Sequence, residues 1–255
     1  IHQPQLNAAA LWSKDESVSR NLCYVIPARQ VREDFSLPPR TSVVIVGTVD
    51  ENILRMSDVD ALVIDVPVKR AAFNTWFNRI SRIFHDYQHW ALTLSDMLAR
   101  SPSLQELAAV GESFFGNPVL VLDRNFCLLS KYDPSLQIAW SFHEQTQERM
   151  LPEEMISIIK AQSWHQVQAE GSHTFFISDD YLAYNMQFLH MSRGNAIFTL
   201  AIPEIRAPLR RLSLSALSYF AECIHVVLCQ SSFHYGHSLR FEEFVKKLLP
   251  NEQIE

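Results

Sequence analysis

Glycine is scarce in this 255-residue chain: six residues, none of them set in GxGxxG, GxxxxGK[ST] or GxSxG. Phosphate cradles and nucleophile elbows need glycine where backbone must approach a ligand or turn sharply. Dinucleotide, P-loop and serine-hydrolase chemistries therefore have no support. Cysteine is sparse too. Cys23, Cys127, Cys223 and Cys229 form no CxxC pair and lie in apolar periodic stretches, a pattern that excludes a zinc ribbon and fits reduced, buried thiols in a cytoplasm. Basic residues are outnumbered 22 to 28, for a net charge of -6 and a pI near 5.9. Phosphate neutralisation needs a basic face, so any DNA contact requires a segment that this chain does not contain. No apolar run is long enough to cross a bilayer, and no signal peptide opens the chain. The expected location is cytoplasmic, with no membrane partner.

What is present is a globular composition, 47% hydrophobic and 20% charged, enough for one or two ordinary cores. Its organising stretch is Ala71 to Leu98, without proline or glycine. Phe73, Phe77, Ile80, Phe84, Tyr87, Ala91, Leu94 and Leu98 alternate steps of four and three, the seam of one continuous helix. At ~1.5 Å per residue it runs roughly 40 Å, long enough to join domains or chains. Trp76, Ile83, Trp90 and Met97 repeat every seven residues beside that seam, so one side can pack on its own domain while the other meets a partner. The expected partner is a second copy, a homodimer formed through Phe73, Phe77, Ile80, Phe84, Tyr87 and Leu94.

Before that helix, Ala8 to Trp12 reads as a helix start and Cys23 to Ile26 as a short strand. Ser42 to Val46 and Ala61 to Val66 are β-branched runs of the buried-strand kind, with a short helical pattern at Glu51 to Met56 between them. The expectation is a small α/β domain with a parallel pair. After it, Ser103 is an N-cap with Glu106 as capping-box partner, and Gly116 is the C-terminal stop. Val119 to Asp123 and Phe126 to Ser130 form a hairpin around Arg124-Asn125, Asp123 being a turn residue. Helices are expected over Trp140 to Met150 and Pro152 to Gln162. Three strands of an antiparallel meander follow at His173 to Ile177, Leu182 to His190 and Ala196 to Ile202. Leu209 to Cys229 is a long helix that can extend through Phe241, Phe244, Val245 and Leu248. The fold class is α+β, divided as 1–70, a linker and dimerisation helix over 71–102, an antiparallel sensory domain over 103–205 and a closing helix over 206–255. One sheet face is expected under helices and the other open to a ligand.

The order Tyr87-x-x-Trp90, Leu94 to Leu98, Ser103-Leu104-x-x-Leu107 and Asn117-Pro118-Val119-x-Val121-x-Asp123 resembles the sensory region of bacterial transcription regulators of the purine-catabolism-regulator (PucR-like) type. Trp140, the strand Ile197 to Ile202 and the ending Phe241-x-x-Phe244-Val245-x-x-Leu248-Leu249 continue the match, which covers the chain from about Thr41 onward. The resemblance implies a small N-terminal domain, a connecting helix, a GAF-like domain and a helix-turn-helix DNA-binding segment beyond Glu255. Ile1 without methionine and the charged residues after Leu249 read as cut ends, consistent with that missing segment. Family members often carry a glycine beside the hairpin before the last sensory strand. Here the turn glycine is Gly194 and bulky Ile197 and Phe198 open the strand, so pocket shape and ligand class do not transfer.

The strand Leu182 to His190 puts Leu182, Tyr184, Met186, Phe188 and His190 on one face. With Tyr132, Trp140, His143, Phe175 and Phe198 this face either lines a pocket for a planar or aromatic small molecule or fills the core. Catalytic patterns are weaker. His85 and His89 stand at i and i+4 as in HExxH, but Asp86 replaces the glutamate and no third ligand is near in sequence. His234-x-x-His237 is similar, Glu153-Glu154 suits a helix first turn, and Arg210-Arg211 reads as a solvated pair. The chain is expected to be no enzyme and to hold no metal or cofactor. Its role is to sense an unidentified small-molecule effector and dimerise, or, as the alternative, to serve as a ligand-free GAF-like interaction scaffold.

Overall fold

The computed structural model describes residues 8–12, 18–19, 21–31, 37–49, 60–67, 70–130, 136, 138–144, 147–168, 171–178, 184–193, 196–209 and 214–230. The stretches 51–56 and 231–255, with the short helix and the helix extension expected there, lie outside them, as do Tyr132, Arg210, Arg211, His234 and His237. The chain divides into two compact units, Ile1–Thr93 and Leu94–Glu255. The boundary falls within the long helix, whose residues up to Thr93 group with the first unit. Among the described residues no helix is long and apolar enough to cross a membrane.

The first unit is built on a parallel sheet of four strands in the order β1 (Ala8–Leu11), β2 (Leu22–Pro27), β3 (Ser42–Val46) and β4 (Asp60–Ile64). Strands β2 and β3 are nearly continuous apolar runs because both of their faces are covered. On one face Cys23, Val25, Val44 and Val46 meet helix α1 (Arg70–Leu98) through Ile80, Phe73, Trp76, Phe77 and Phe84. On the other, Tyr24, Ile26, Val43 and Ile45 pack with Val31 and Leu37 from the segments between strands. One helix is too narrow to cover four strands, and the outer strands leave Leu11 and Leu62 exposed. Ala8–Leu11 is an edge strand, not a helix start. Four residues are too few to hold a helix against the ladder offered by Leu22 to Val25.

Of the residues expected at the dimer seam, Ile80 is buried against the chain's own sheet, Phe73, Phe77 and Phe84 pack there partly buried, and Leu94 is fully buried. The large apolar residues that α1 leaves outside are Ile83 (63% exposed) and Leu92 (66%). They are nine residues apart, about two and a half turns, and so stand on opposite sides of the helix rather than on one seam.

The second unit opens with helix α2 (Leu104–Phe115). Its capping box is complete: Ser103 Oγ accepts from the Glu106 backbone N–H at 3.2 Å, and a Glu106 carboxylate oxygen accepts from the Ser103 backbone N–H at 2.7 Å. That bond holds the Glu106 carboxyl below its ordinary range. Gly116 stops the helix at φ 70°. Strand β5 (Leu120–Asp123) turns through Arg124-Asn125, where the Asp123 carboxylate accepts from the N–H groups of Asn125 and Cys127. The return arm pairs as bridges at Cys127 and Leu128 rather than as a regular strand.

Residues expected to be helical at 140–150 form a small hairpin, β6 (Ser141–Phe142) against β7 (Arg149–Met150). Helix formers such as Glu144, Gln147 and Glu148 are overruled because this stretch has no apolar stripe to bury. Its backbone is instead taken up by tertiary pairing, Leu128 N–H to Arg149 O at 2.7 Å. Helix α3 (Glu153–Gln168) follows with Glu153 and Glu154 in its first turn, then β8 (Gly171–Ile177), β9 (Met186–Arg193) and β10 (Ala196–Pro203). With β5 these make an antiparallel sheet of order β5-β10-β9-β8, and a final helix α4 occupies residues 214–230.

One face of this sheet is covered by α3, and the other is covered only in part, since Ser172, Thr174 and Phe176 of β8 stay exposed there. Leu120, Leu122, Ala201, Phe188 and Phe175 share one face and pack with Met155, Ile156 and Ile159 of α3. The opposite face carries Val121, Leu189 and Leu200, all buried, and beyond them Arg193, whose guanidinium pairs with Glu222 of α4 at 3.2 Å. The α4 ring of Phe220 meets Phe115 of α2 edge-on at 5.7 Å, and a Cβ on Gly111 would lie 2.6 Å from that Phe220 ring.

One buried amide holds the route from sheet to last helix. Asn117 Oδ1 accepts from the N–H groups of Ile205, Arg206 and Ala207 at 3.0, 2.8 and 3.1 Å, and its Nδ2 donates to Ala207 O at 2.7 Å. Arg206 also pairs with Glu112, and Glu204 accepts from Asn185 Nδ2 and from Leu209 N–H. Asn117→Ala would leave several buried polar groups without partners. An expected loss of roughly 3 kcal/mol in urea unfolding checks this, and a loss under about 1 kcal/mol would deny the clamp its role.

Candidate functional site

The ligand face expected in the second unit is its core. Phe175 and Phe188 stack with centroids 4.9 Å apart at 8°, Met186 and Phe188 are fully buried, and Trp140 and Tyr184 pack against this cluster from its margin. His190 lies one residue pair further along the same face, its Nδ1 2.9 Å from Thr199 Oγ1. His143 is a turn residue of the β6–β7 hairpin, its N–H bonded to Glu148 O. Phe198 pairs in register with Asp123 and Met191 and so points to the opposite face from Phe188. The expected alternation holds along β9 for Met186, Phe188 and His190, Tyr184 precedes the strand, and Leu182 lies outside the described residues. Alternation could not tell a wall of a pocket from a wall of a core, and Phe198 was placed on the wrong side because its register with β9 is not written in its own strand.

A real cavity exists in the first unit, about 150 Å³ in volume and open to solvent. It lies where the parallel strands end: Pro27 closes β2, Val46 closes β3 and continues into Gly47 and Thr48, and Val66 and Pro67 follow β4. Phe73 from the first turns of α1 and Ala28 and Arg29 from the short 3-10 turn Ala28–Gln30 complete the lining. The carboxyl ends of parallel strands are where open α/β sheets commonly take ligands, since side-chain-poor loops diverge there around the sheet edge. Sequence chemistry creates the space locally. Proline ends the ladder at Pro27 and Pro67, and Gly47 takes φ 122°, a backbone region that side chains rarely adopt. The loops are tied: Gly47 N–H donates to Ile64 O at 2.9 Å, and Thr48 Oγ1 donates to Asp65 Oδ1 at 2.8 Å. Arg29 is exposed at the rim and makes no ion pair or side-chain hydrogen bond among the described residues.

The other chemistry-bearing residues are dispersed. Among the described residues no three of His, Cys, Asp and Glu gather where a metal could be held. His85 and Asp86 are exposed on α1, Asp86 lying 3.8 Å from Arg82, and the His89 carbonyl accepts from Thr93 Oγ1. Burial raises the Cys23 thiol, and it pushes Cys127 and Cys223 up to about 11, helped by the carboxylates of Asp123 and Glu148 at Cys127 and of Glu222 at Cys223. These three are protonated and poor nucleophiles at neutral pH. Cys229, contrary to the buried environment expected of all four, is exposed, its sulfur 3.6 Å from His225 Nε2.

No family model and no curated protein matches the chain. Among solved structures it is similar to the cofactor-binding GAF domain of the nutrient sensor CodY from Clostridium difficile, with 11% identity and a TM-score of 0.36 over 49% of this chain and 81% of that one. A likeness this slight transfers neither ligand nor function.

The thiols give a pH test. A thiol raised from 9.0 to about 11 favours the folded state below pH 9, and that contribution is lost as pH climbs through the folded value. Stability measured by urea unfolding should therefore fall between pH 9 and 11, and Cys127→Ala with Cys223→Ala should flatten that slope. An unchanged slope would place the loss elsewhere. At neutral pH iodoacetamide should modify Cys229 well before the buried three.

Proposed function

We propose that this chain is the effector-sensing region of a bacterial transcription regulator of the PucR-like type, with the small molecule taken up in the N-terminal unit. The observation that carries the sensing half is the strand-end cavity, an open recess with polar and apolar lining at the position where parallel sheets commonly bind ligands. The regulatory half is supported by the order of short motifs from Tyr87 to Leu200 that resembles this class. The acidic net charge leaves DNA contact to a segment outside this chain.

The antiparallel unit then acts as a GAF-like body with a filled core. The observation favouring this scaffold reading is the stacked Phe175–Phe188 pair, where a sensor of the same shape would keep space. Its task is mechanical, to hold α4 through the Asn117 clamp while the state of the sensor changes. An effector can shift such a module only by its difference in affinity for two states. Homodimer formation through the long helix belongs to the same proposal.

Native mass spectrometry of the purified chain, with released small molecules identified after denaturation, tests this. The wild type and the Trp140→Ala and Tyr184→Ala variants should carry the same co-purified or added effector, and Val66→Phe, which fills the cavity, should carry none. Loss in the Trp140 and Tyr184 variants with retention in Val66→Phe would move the sensor to the antiparallel unit. The same spectra report whether the chain is a dimer.

A further inference from the structure

The polar groups around the strand-end cavity are mostly spent. The Gly47 N–H is committed to Ile64 O, the Thr48 hydroxyl proton to Asp65, and Pro27 and Pro67 have no N–H to give. Among the described residues the lining offers one cation, Arg29, exposed and without an ion-pair partner there. The apolar part of the lining that is open to a ligand comes from Val66, Pro67 and Phe73, with Pro27 and Val46 buried behind them. A phosphate-rich ligand would need several donors converging on it, and a sugar would need many more. One guanidinium over a partly apolar recess suits a ligand with a single planar anionic group and a compact hydrocarbon body, because the guanidinium fork matches a carboxylate bidentately. The volume of about 150 Å³ sets the body's size, since a cavity of that volume accommodates a single benzene ring.

We propose that the strand-end cavity is a site for a compact monocarboxylate, its carboxylate held by Arg29 and its ring or branched aliphatic body seated against Val66, Pro67 and Phe73. This rests on the reading of the cavity as the effector site and adds the chemical class. The carboxylate stays at the mouth, where Arg29 is solvated and mobile enough to close on it, and the body displaces water from the apolar walls.

Benzoate and its neutral isostere benzamide are the probes. Their binding is followed by ligand-observed saturation-transfer NMR at about 10 mM, above the roughly millimolar Kd that fragments of this size reach. The wild-type chain should bind benzoate at least about tenfold more tightly than benzamide. Arg29→Gln, at an exposed position, should keep the fold by circular dichroism and bring the two probes level. Val66→Phe should abolish both. Equal binding of both probes with no effect of Arg29→Gln, while Val66→Phe still abolishes them, would overturn the carboxylate class and leave the site standing. Benzoate binding that survives Val66→Phe would overturn the site itself. No benzoate signal from the wild type would also overturn the class. In that case the co-purified ligand's dependence on Val66 decides separately whether the cavity senses anything.

Discussion

Burial on two faces is the constraint on which both sheets depend. A parallel strand such as Val43 to Val46 is apolar on each side, and each side must be removed from water at roughly 25 cal/mol per Å². Helix α1 answers that demand on one side with Phe73, Trp76, Phe77, Ile80 and Phe84. In the antiparallel unit the same demand is met by α3 on one face and brings α4 to the other, which leaves exposed only the outer residues of β8 on that second face. Space survives where the constraint lapses, at the strand ends, where proline and glycine interrupt the ladder and no side chain is obliged to fill the gap.

The second unit adds rigidity at its own exit. Asn117 follows directly after the left-handed Gly116 that stops α2, and its amide gathers three successive N–H groups of the segment between β10 and α4. The end of one helix and the approach to another are thereby locked to a single side chain. The Arg206–Glu112 and Glu204–Asn185 contacts brace the same segment.

Local chemistry was legible in the sequence. The capping box at Ser103 and Glu106, the stop at Gly116, the turn at Asp123, the uninterrupted helix to Leu98 and the strands at Ser42 to Val46 and at β8 to β10 follow from spacing and residue type over a few positions. Pairing partners were not. The alanines at Ala8 to Ala10 become strand because Leu22 to Val25 lies beside them, and 140–150 becomes a hairpin because Arg149 and Met150 pair with the arm after β5. The expected pocket failed for a related reason, since an aromatic strand face looks the same whether α3 fills it or a ligand does. The punctuation that builds the strand-end cavity, Pro27, Gly47 and Pro67, is visible in the sequence as the ends of apolar runs. The convergence of those three ends on Arg29 and Phe73 is a property of the parallel pairing and could not be read from any one of them.

Methyl-labelled NMR spectra of the chain, recorded before and after addition of a small-molecule extract from the producing cell, test the division of labour most directly. The account predicts that the largest shifts fall on the methyls of Ala28, Val46 and Val66, while Met186, Leu122 and Ile159 keep their positions. Dominant shifts at Met186, Leu122 and Ile159, with Val46 and Val66 unmoved, would mean that the antiparallel core opens to the effector, and would contradict the placement of sensing in the N-terminal unit.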